Sequence, residues 1–179
     1  MAKKTNHSLI PVKMKTIVKS ILAGRKRKNC SKEPILQKLV FTGYVSSIES
    51  ISCKGGIYMA FARKETDLPS SYKLLYIGAA TGTDCLRNRI GAHINNDHKT
   101  EWLDYYNPTT EEIVYSYAVV NNTVRIFEIE DALIFKTRPL VNVNKMVEVS
   151  SDAESIILYC KGDVGPLKSR YYMSHQDTL

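Results

Sequence analysis

Residues 56–63 alternate between two sets of side chains, which is the pattern of a β-strand with two distinct faces. Large apolar residues take every second position, and a tyrosine followed by two alanines takes the positions between them. The first set is Ile57, Met59 and Phe61, and the second is Tyr58, Ala60 and Ala62. The next stretch, 64–71, is polar and contains Pro69, so it predicts a long hairpin connection to an antiparallel strand over residues 72–77.

Helical spacing marks two later stretches of the chain. Apolar residues recur at every fourth position from Leu86 to Ile94, which predicts a first helix. A second helix is predicted over residues 124–136, because the apolar positions again follow a helical period and Pro139 prevents its continuation. Between the two helices, residues 112–120 are rich in Val and Tyr and predict a third strand.

The order strand, strand, helix, strand, helix predicts an α+β fold, with a small three-stranded antiparallel sheet flanked by helices. The chain of 179 residues is long enough for one compact domain with extensions and too short for two full domains. We therefore expect a basic N-terminal arm over residues 1–50, a central domain over residues 51–145 and a C-terminal extension over residues 146–179.

The two extensions carry weaker patterns than the central domain. The arm is expected to contain two short helices, over residues 12–22 and 34–41. In the C-terminal extension, residues 155–160 suit either a strand or a short helix, and the last residues, through 174–176, are expected to form a loose end.

The net charge of +7 is concentrated in the first 50 residues, which hold 11 of the 25 Lys and Arg residues against two Glu. This excess includes a run of four basic residues. The run is Arg25, Lys26, Arg27 and Lys28. A localised basic segment suits a nucleic-acid backbone, because each neutralised phosphate releases counterions. A solvated tail is the alternative, and a membrane-surface helix at 9–22 is disfavoured by Pro11 and by the absence of aromatic anchors.

The four cysteines stand apart in the sequence, without a CxxC spacing or a His/Cys cluster. They are Cys30, Cys53, Cys85 and Cys160. This arrangement argues against a disulfide framework and against a structural zinc site. No apolar run reaches the length of a membrane span or a signal-peptide core. We therefore expect a soluble cytoplasmic protein with no membrane partner.

A carboxylate interrupts the apolar stripe of the second predicted helix. Phe127, Glu130 and Ile134 share one side of this helix at helical spacing. A buried carboxylate is costly unless it is paired or bound to a cation, so Glu130 is expected to have such a partner if it is buried. The alternative is a glutamate at the edge of the stripe that reaches solvent. Glu128 and Asp131 fall on more polar faces and are expected to be solvated.

Several groups that suit phosphate chemistry lie near this carboxylate in the predicted order of elements. Arg89 and His93 are four residues apart, so they project from the same side of the first helix. An arginine can hold a phosphate through two parallel hydrogen bonds, and Arg87 competes for that role. A histidine can orient a hydroxyl or accept a proton near neutral pH. Tyr58 and Tyr76 lie on adjacent strands, which could bring both hydroxyls to one edge of the sheet.

These residues occur in five short blocks that together resemble the GIY-YIG nuclease family. The resemblance covers residues 55–144, about half of the chain. The blocks are Gly56-Ile57-Tyr58, Tyr76-Ile77-Gly78, Arg89-Ile90-Gly91-Ala92-His93, Glu130-Asp131-Ala132-Leu133-Ile134 and Arg138-Pro139-Leu140-Val141-Asn142. Their order matches the family, and the resemblance implies its ββαβα core.

The resemblance also implies a role for each matching position. Glu130 matches the glutamate that binds one divalent cation, Mg²⁺ or Mn²⁺, and Arg89 matches the arginine that binds the scissile phosphate. Tyr58 and Tyr76 match the two active-site tyrosines, and His93 matches the residue that supports them. We expect Tyr58 to activate a water and Tyr76 to position it, although the two tyrosines could exchange these roles.

Arg87 and Asn142 complete the expected site, and the sequence differs from the family pattern at three places. Arg87 and Asn142 are expected near the substrate, and Asn142 matches an asparagine that is usually structural. The chain between the two tyrosines is longer than is usual in the family, and so is the turn before Arg89. Ala79 stands where the family often has Lys or Ser. These departures concern the approach of the substrate rather than the core assignment.

The function expected from these observations is a divalent-metal-dependent DNA endonuclease. Double-stranded DNA is the favoured partner, and a sequence-specific, restriction-like enzyme acting as a homodimer is the first expectation. A homing, phage or structure-selective DNA nuclease is nearly as well supported. An RNA nuclease and a nucleic-acid-binding module without catalysis are the remaining alternatives.

Overall fold

A computed structural model describes residues 33–95, 102–142 and 155–174, which belong to a compact unit spanning residues 31–179. The described residues include six strands and two α-helices. The strands are β1 (Ile35–Val45), β2 (Gly56–Arg63), β3 (Lys73–Ala80), β4 (Glu112–Val119), β5 (Ser155–Gly162) and β6 (Arg170–Ser174). The helices are α1 (Leu86–Ile94) and α2 (Ile126–Thr137), and a short 3-10 helix, Pro69–Ser71, precedes β3. The predictions for β2, β3, β4 and both helices are thus confirmed within a few residues at each end.

The six strands form one curled, mixed sheet in the order β3-β2-β4-β1-β5-β6. Strand β1 pairs antiparallel with β4 on one side and parallel with β5 on the other. The predicted fold class, a small three-stranded sheet flanked by helices, is therefore wrong. The predicted strands β2, β3 and β4 do lie next to one another, but they make up only half of a larger sheet.

Strand β1 occupies the stretch in which a helix was predicted. Residues 34–41 place Ile35 and Leu39 four positions apart, a spacing that fits one face of a helix and also one face of a strand. In the structure both side chains are buried, as is Phe41, and the residues between them are more exposed. Residues 35–41 pair with β5, and the end of the strand from Thr42 pairs with β4, so tertiary contacts decide between two patterns that the sequence leaves equivalent.

The described part of the C-terminal segment, residues 155–174, also joins the sheet. The stretch 155–160, predicted as either a strand or a short helix, is part of β5. Strand β6 pairs antiparallel with β5 and ends at Ser174, so residue 174 belongs to a strand and not to the loose end predicted through 174–176. Residues 175 and 176 lie outside the described residues. The remaining predicted features of the two extensions, the helix at 12–22 and the basic run, lie outside the described residues.

Strand β2 is buried on both faces, and each face packs into a different cluster of side chains. We call Ile57, Met59 and Phe61 the aliphatic face, and Tyr58, Ala60 and Ala62 the tyrosine face. The aliphatic face packs in a cluster that includes the apolar side of α2. The tyrosine face packs in a second cluster that includes Leu86 and Ile90 of α1, together with Trp102 and Tyr115.

The start of α1 is tied to the segment that precedes β2. Cys53 and Cys85 form a disulfide, with their Cα atoms 5.0 Å apart. The expectation that the cysteines stand alone is therefore wrong for this pair, which has no sequence motif because its members are 32 residues apart. Cys160 is a free, buried thiol. Within the three described ranges, no helix is long and apolar enough to cross a membrane.

Candidate active site

Tyr58 and His93 form a buried pair at the centre of the tyrosine face. The oxygen of Tyr58 and Nε2 of His93 are 2.9 Å apart, and Tyr58 is 0% exposed. His93 lies in the last turn of α1. It is buried on the same helix as Leu86 and Ile90, whose side chains pack in the cluster on the tyrosine face. His93 is thus in hydrogen-bond contact with a tyrosine hydroxyl, and its role in orienting that hydroxyl stays a prediction.

Tyr76 lies beside this pair because of the register between β2 and β3. Tyr58 is opposite Gly78 and Tyr76 is opposite Ala60, so the two tyrosines are diagonal neighbours on one face, with ring centroids 6.0 Å apart. A shift in register between Ala60 and Phe61 follows at once. Such a bulge changes the direction of the side chains next to it. The ring of Tyr76 is 5.2 Å from that of His93.

Gly78 is required at its position by the ring of Tyr58. A Cβ atom at residue 78 would overlap the hydroxyl end of that ring. Gly56 is constrained in a similar way, since a Cβ there would overlap the backbone of Ala118 on β4. Glycine is therefore required at both positions for steric reasons. The ring of Tyr58 approaches β3 closely at residue 78, and the backbone of β4 approaches β2 closely at residue 56.

Trp102 closes the same cluster and was not predicted from the sequence. Its indole stacks on Tyr76, with ring centroids 5.8 Å apart, and on His93, with ring centroids 5.3 Å apart. The side chain is almost fully buried. The residue lies between α1 and β4, where no periodic pattern exists. The one available signal was that it is the sole tryptophan of the chain, a residue type that is usually well buried.

Arg89 brings a fixed positive charge to the Tyr58 hydroxyl. The guanidinium interacts electrostatically with Tyr58, and its Nη1 lies 3.5 Å from a carboxylate oxygen of Asp84. Partial burial alone would lower the pKa of Arg89, but the neighbouring Tyr58 and Asp84 raise it overall. The arginine side chain is 43% exposed, so the guanidinium is within reach of a ligand that approaches from solvent.

Arg87, which the sequence analysis considered for the phosphate-binding role, makes a contact with the protein backbone. Its Nε donates a hydrogen bond to the backbone carbonyl of Ile51, at 2.9 Å. This contact fastens the first turn of α1 to the segment before β2, near the Cys53–Cys85 disulfide. The structure therefore gives Arg87 a contact with the protein backbone, whereas Arg89 extends toward the tyrosines.

Glu130 is a buried carboxylate on α2, only 3% exposed. The alternative in which it reaches solvent at the edge of the apolar stripe is therefore excluded. Its charge acts on Tyr58, whose pKa it raises, so the two groups lie within electrostatic range of each other. Glu128, expected to be solvated, is also buried, because Arg125 holds both of its carboxylate oxygens at 2.9 and 3.0 Å.

The phenol of Tyr58 is strongly held in its neutral form. Burial raises the pKa of Tyr58 well above its ordinary value of 10.0, and the nearby Tyr76 raises it further. Arg89 acts in the opposite direction through its positive charge. Because desolvation is the largest of these effects, a free tyrosinate is disfavoured at neutral pH. Any proton that Tyr58 accepts must therefore be matched by a proton that it gives away.

Asn142 supports β3 directly behind Tyr76. Its Oδ1 accepts a hydrogen bond from the backbone N–H of Ile77 at 2.8 Å, and its Nδ2 donates one to the Ile77 carbonyl at 3.0 Å. The amide side chain thus takes the place of a neighbouring strand at this residue. Asn142 is buried, so its position is that of a structural group rather than one that contacts substrate.

A divalent cation is implied by the resemblance, and Glu130 is the group that could hold it. Among the described residues, no three His, Cys, Asp or Glu side chains are grouped as a metal cage. Mg²⁺ does not need such a cage, because it keeps several waters and commonly binds one or two carboxylates together with substrate phosphates. A single buried carboxylate within electrostatic range of Tyr58 is compatible with that type of site.

The structure brings together most of the residues that the sequence singled out. Tyr58, Tyr76, Arg89 and His93 meet on the tyrosine face, and Glu130 acts on Tyr58 from α2. Arg87 and Asn142 contact the protein backbone instead, and the basic run at residues 25–28 lies outside the described residues. No protein-family model matches this chain, and no curated protein or solved structure matches it either.

Proposed function

We propose that this protein is a metal-dependent DNA endonuclease of the GIY-YIG type. The observation that carries the proposal is the convergence of a tyrosine–histidine pair, an arginine and a buried carboxylate from three different elements, β2, α1 and α2. Hydrolysis of a phosphodiester needs a nucleophile that loses a proton, positive charge near the phosphate, and stabilisation of the leaving oxygen. Tyr58 and His93 would take the proton of the nucleophile, and Arg89 would supply positive charge near the phosphate. Glu130 would bind a cation that stabilises the leaving oxygen.

The buried Tyr58–His93 pair suggests how a water is activated without a free tyrosinate. The attacking water gives a proton to the Tyr58 oxygen while Tyr58 passes its own proton to Nε2 of His93, which requires His93 to be unprotonated at that nitrogen. The water oxygen then forms a bond to phosphorus as the bond to the leaving oxygen breaks. The leaving oxygen departs with that pair of electrons. Tyr58 remains neutral throughout, as its raised pKa requires.

The other residues would position the phosphate and its charge. Arg89 binds the non-bridging oxygens, since its guanidinium is partly exposed beside Tyr58. Tyr76 holds the water against the Tyr58 hydroxyl, and the stacked ring of Trp102 fixes the orientation of Tyr76 and His93. A Mg²⁺ ion held by Glu130 would supply Lewis acidity to the phosphate or to the leaving oxygen.

DNA is the proposed substrate because of the charge distribution along the chain. The first 50 residues hold the whole positive excess of the protein, which suits the polyanionic backbone of a duplex. This segment would supply affinity, and the tyrosine face would supply the chemistry. Affinity should therefore fall with increasing salt if the first 50 residues contact phosphates.

Glu130→Gln and Glu128→Gln form a matched pair that tests the proposal. Both glutamates are buried on α2, two residues apart, but only Glu130 acts on Tyr58. In Mg²⁺, we expect Glu130→Gln to reduce the rate of plasmid cleavage at least about 100-fold while DNA binding is retained. Glu128→Gln should lose stability, because it weakens the pair with Arg125, and should still cleave. Equal cleavage by the two variants would contradict the proposal, as would cleavage by the wild type in EDTA.

A further inference from the structure

A cleft opens beside the tyrosine face that none of the proposed catalytic steps uses. Its volume is about 130 Å³. The residues that line it are Ser46, Ile94, Tyr106, Ile113 and Tyr115. One water needs roughly 10–15 Å³ measured in this way, so the cleft has room for a ring-sized group. Four of the five lining residues are two tyrosines and two isoleucines.

Tyr115 connects this cleft with the candidate active site. Its ring is stacked with that of His93, with centroids 6.5 Å apart, and it belongs to the same buried cluster as Tyr58. A ligand in the cleft would therefore lie one aromatic ring away from the Tyr58–His93 pair. Tyr106, on the other wall, comes from the segment that follows Trp102.

The hydroxyl of Tyr115 has no hydrogen-bond partner within the described part of the chain, although the residue is only 1% exposed. Burial of an unpaired hydroxyl is unfavourable, and most such groups in proteins are satisfied. The two isoleucines that line the cleft, Ile94 and Ile113, have no hydrogen-bonding groups in their side chains. A ligand that enters the cleft with a donor or an acceptor on its edge would supply the missing partner.

We propose that this cleft binds one unpaired nucleobase of the strand that is cut, next to the scissile phosphate. The proposal rests on the nuclease function proposed above and adds the form of the substrate to it. A nucleobase is planar, stacks on aromatic rings, and carries hydrogen-bonding groups along its edge, which matches the walls of the cleft and the Tyr115 hydroxyl. A base paired within a duplex is not available to a side cleft, so the preferred DNA contains an unpaired or extruded base.

The chemistry of the cleft also limits what it can distinguish. A phenol hydroxyl can donate or accept a hydrogen bond, so it can pair with an edge group of any of the four bases. Stacking is likewise tolerant of base identity. The cleft should therefore select for the presence of a base rather than for its sequence.

A binding experiment tests the cleft independently of catalysis. The full-length Glu130→Gln protein is titrated into two duplexes that differ at one position, a single-base bulge of 2-aminopurine or the same bulge with an abasic residue. We expect the 2-aminopurine fluorescence to change on binding, and the abasic duplex to bind about tenfold more weakly. Ser46→Phe, a change at an exposed residue that fills the mouth of the cleft, should abolish this difference.

Tyr115→Phe and Tyr171→Phe are matched tests of the hydroxyl. Tyr171 lies in the other cluster, and its hydroxyl accepts a hydrogen bond from the backbone of Lys168. Tyr115→Phe should narrow the preference for the bulged base over the abasic residue, and Tyr171→Phe should leave it unchanged. Equal affinity of the Glu130→Gln protein for the two duplexes, with no change in fluorescence, would overturn the cleft proposal whether or not DNA is cut.

A cleavage assay separates failure of the cleft from failure of the nuclease. The wild type in Mg²⁺ should cut the duplex with a bulged base about tenfold faster than the abasic duplex, close to the bulge. Cutting of both duplexes at the same rate would refute the cleft and leave the nuclease function standing. If neither duplex nor plasmid is cut, the nuclease function fails, and the fluorescence titration still decides whether the cleft takes a base.

Discussion

The two faces of β2 are equally buried and differ completely in chemistry. On the aliphatic face, Met59 and its neighbours are 0% exposed and contact only a close-packed apolar cluster. On the tyrosine face, Tyr58 is also 0% exposed, but it contacts a histidine, an arginine and a second tyrosine. Burial therefore does not distinguish a structural position from a candidate catalytic one in this strand, whereas the polar groups around it do.

The two faces are also fastened in different ways. Helix α2 packs against the aliphatic face through apolar side chains, whose burial stabilises the fold in proportion to area. Helix α1 covers the tyrosine face with fewer apolar residues and is tied down by directed contacts. These are the Tyr58–His93 and Arg87–Ile51 hydrogen bonds and the Cys53–Cys85 disulfide. Directed contacts suit a site in which atoms must be held at fixed distances.

The largest difference between the two arginines of α1 should appear in cleavage. We expect Arg89→Ala to slow single-turnover cleavage about 10²- to 10³-fold, because a fixed charge beside the phosphate is lost. Arg87→Ala should retain cleavage and lose on the order of 1 kcal/mol of stability, since it removes one hydrogen bond to Ile51. The measurement is cleavage under Mg²⁺ alongside urea unfolding of each variant. A larger cleavage defect in Arg87→Ala would reverse the assignment.

The disulfide should contribute the next largest effect, and it should act on the tyrosine face. Replacing Cys53 and Cys85 by serine removes a cross-link between residues 32 positions apart, which is worth about 2–4 kcal/mol in unfolding free energy. We expect urea unfolding with and without reductant to show this loss in the wild type. The double variant should show no response to reductant. Identical unfolding of the wild type under both conditions would show that the bond does not stabilise the protein.

The smallest expected effect is the change of unfolding free energy with pH. Its sign follows from the burial of the Tyr58 and Tyr115 side chains. Burial raises the pKa of Tyr58 and of Tyr115 in the folded state, whereas the unfolded chain titrates near 10. Each tyrosine makes its full contribution to the unfolding free energy below pH 10. This contribution is lost as the pH rises above 10, because only the unfolded state then releases the proton. The slope approaches about 1.4 kcal/mol per pH unit for each tyrosine. Unfolding measured from pH 8 to 11 should show a shallower decline in Tyr115→Phe than in the wild type.

Local patterns predicted the elements that hold the candidate site, but not the sheet that contains them. Strand β2 and helix α2 were predictable because their side chains repeat with one clear period. Strand β1 was mistaken for a helix because Ile35 and Leu39 fit both periods. Its true partners, β4 and β5, are distant in sequence, and no local pattern encodes that pairing.

The candidate site was predictable to the extent that its residues stand in short motifs. Tyr58 and Arg89 lie in such motifs and meet in the structure. Trp102 and Tyr115 do not, since each reaches the site through the folding of a long segment around it. The Cys53–Cys85 bond escaped prediction for the same reason. Contacts between residues far apart in sequence depend on the final packing, which periodicity and spacing do not specify.

The central claim is that the tyrosine face of β2 carries chemistry and the aliphatic face carries structure. Tyr58→Phe and Met59→Leu change adjacent, fully buried residues with little change in volume. Met59→Leu should cost less than about 1.5 kcal/mol of stability, and Tyr58→Phe, which also removes the hydrogen bond to His93, should cost about 1–3 kcal/mol. The decisive measurement is single-turnover cleavage of DNA in Mg²⁺ by both variants, corrected for the folded fraction. The account predicts a loss of about 100-fold or more in Tyr58→Phe and a rate within about twofold of the wild type in Met59→Leu. Cleavage by Tyr58→Phe at the rate of Met59→Leu would contradict it.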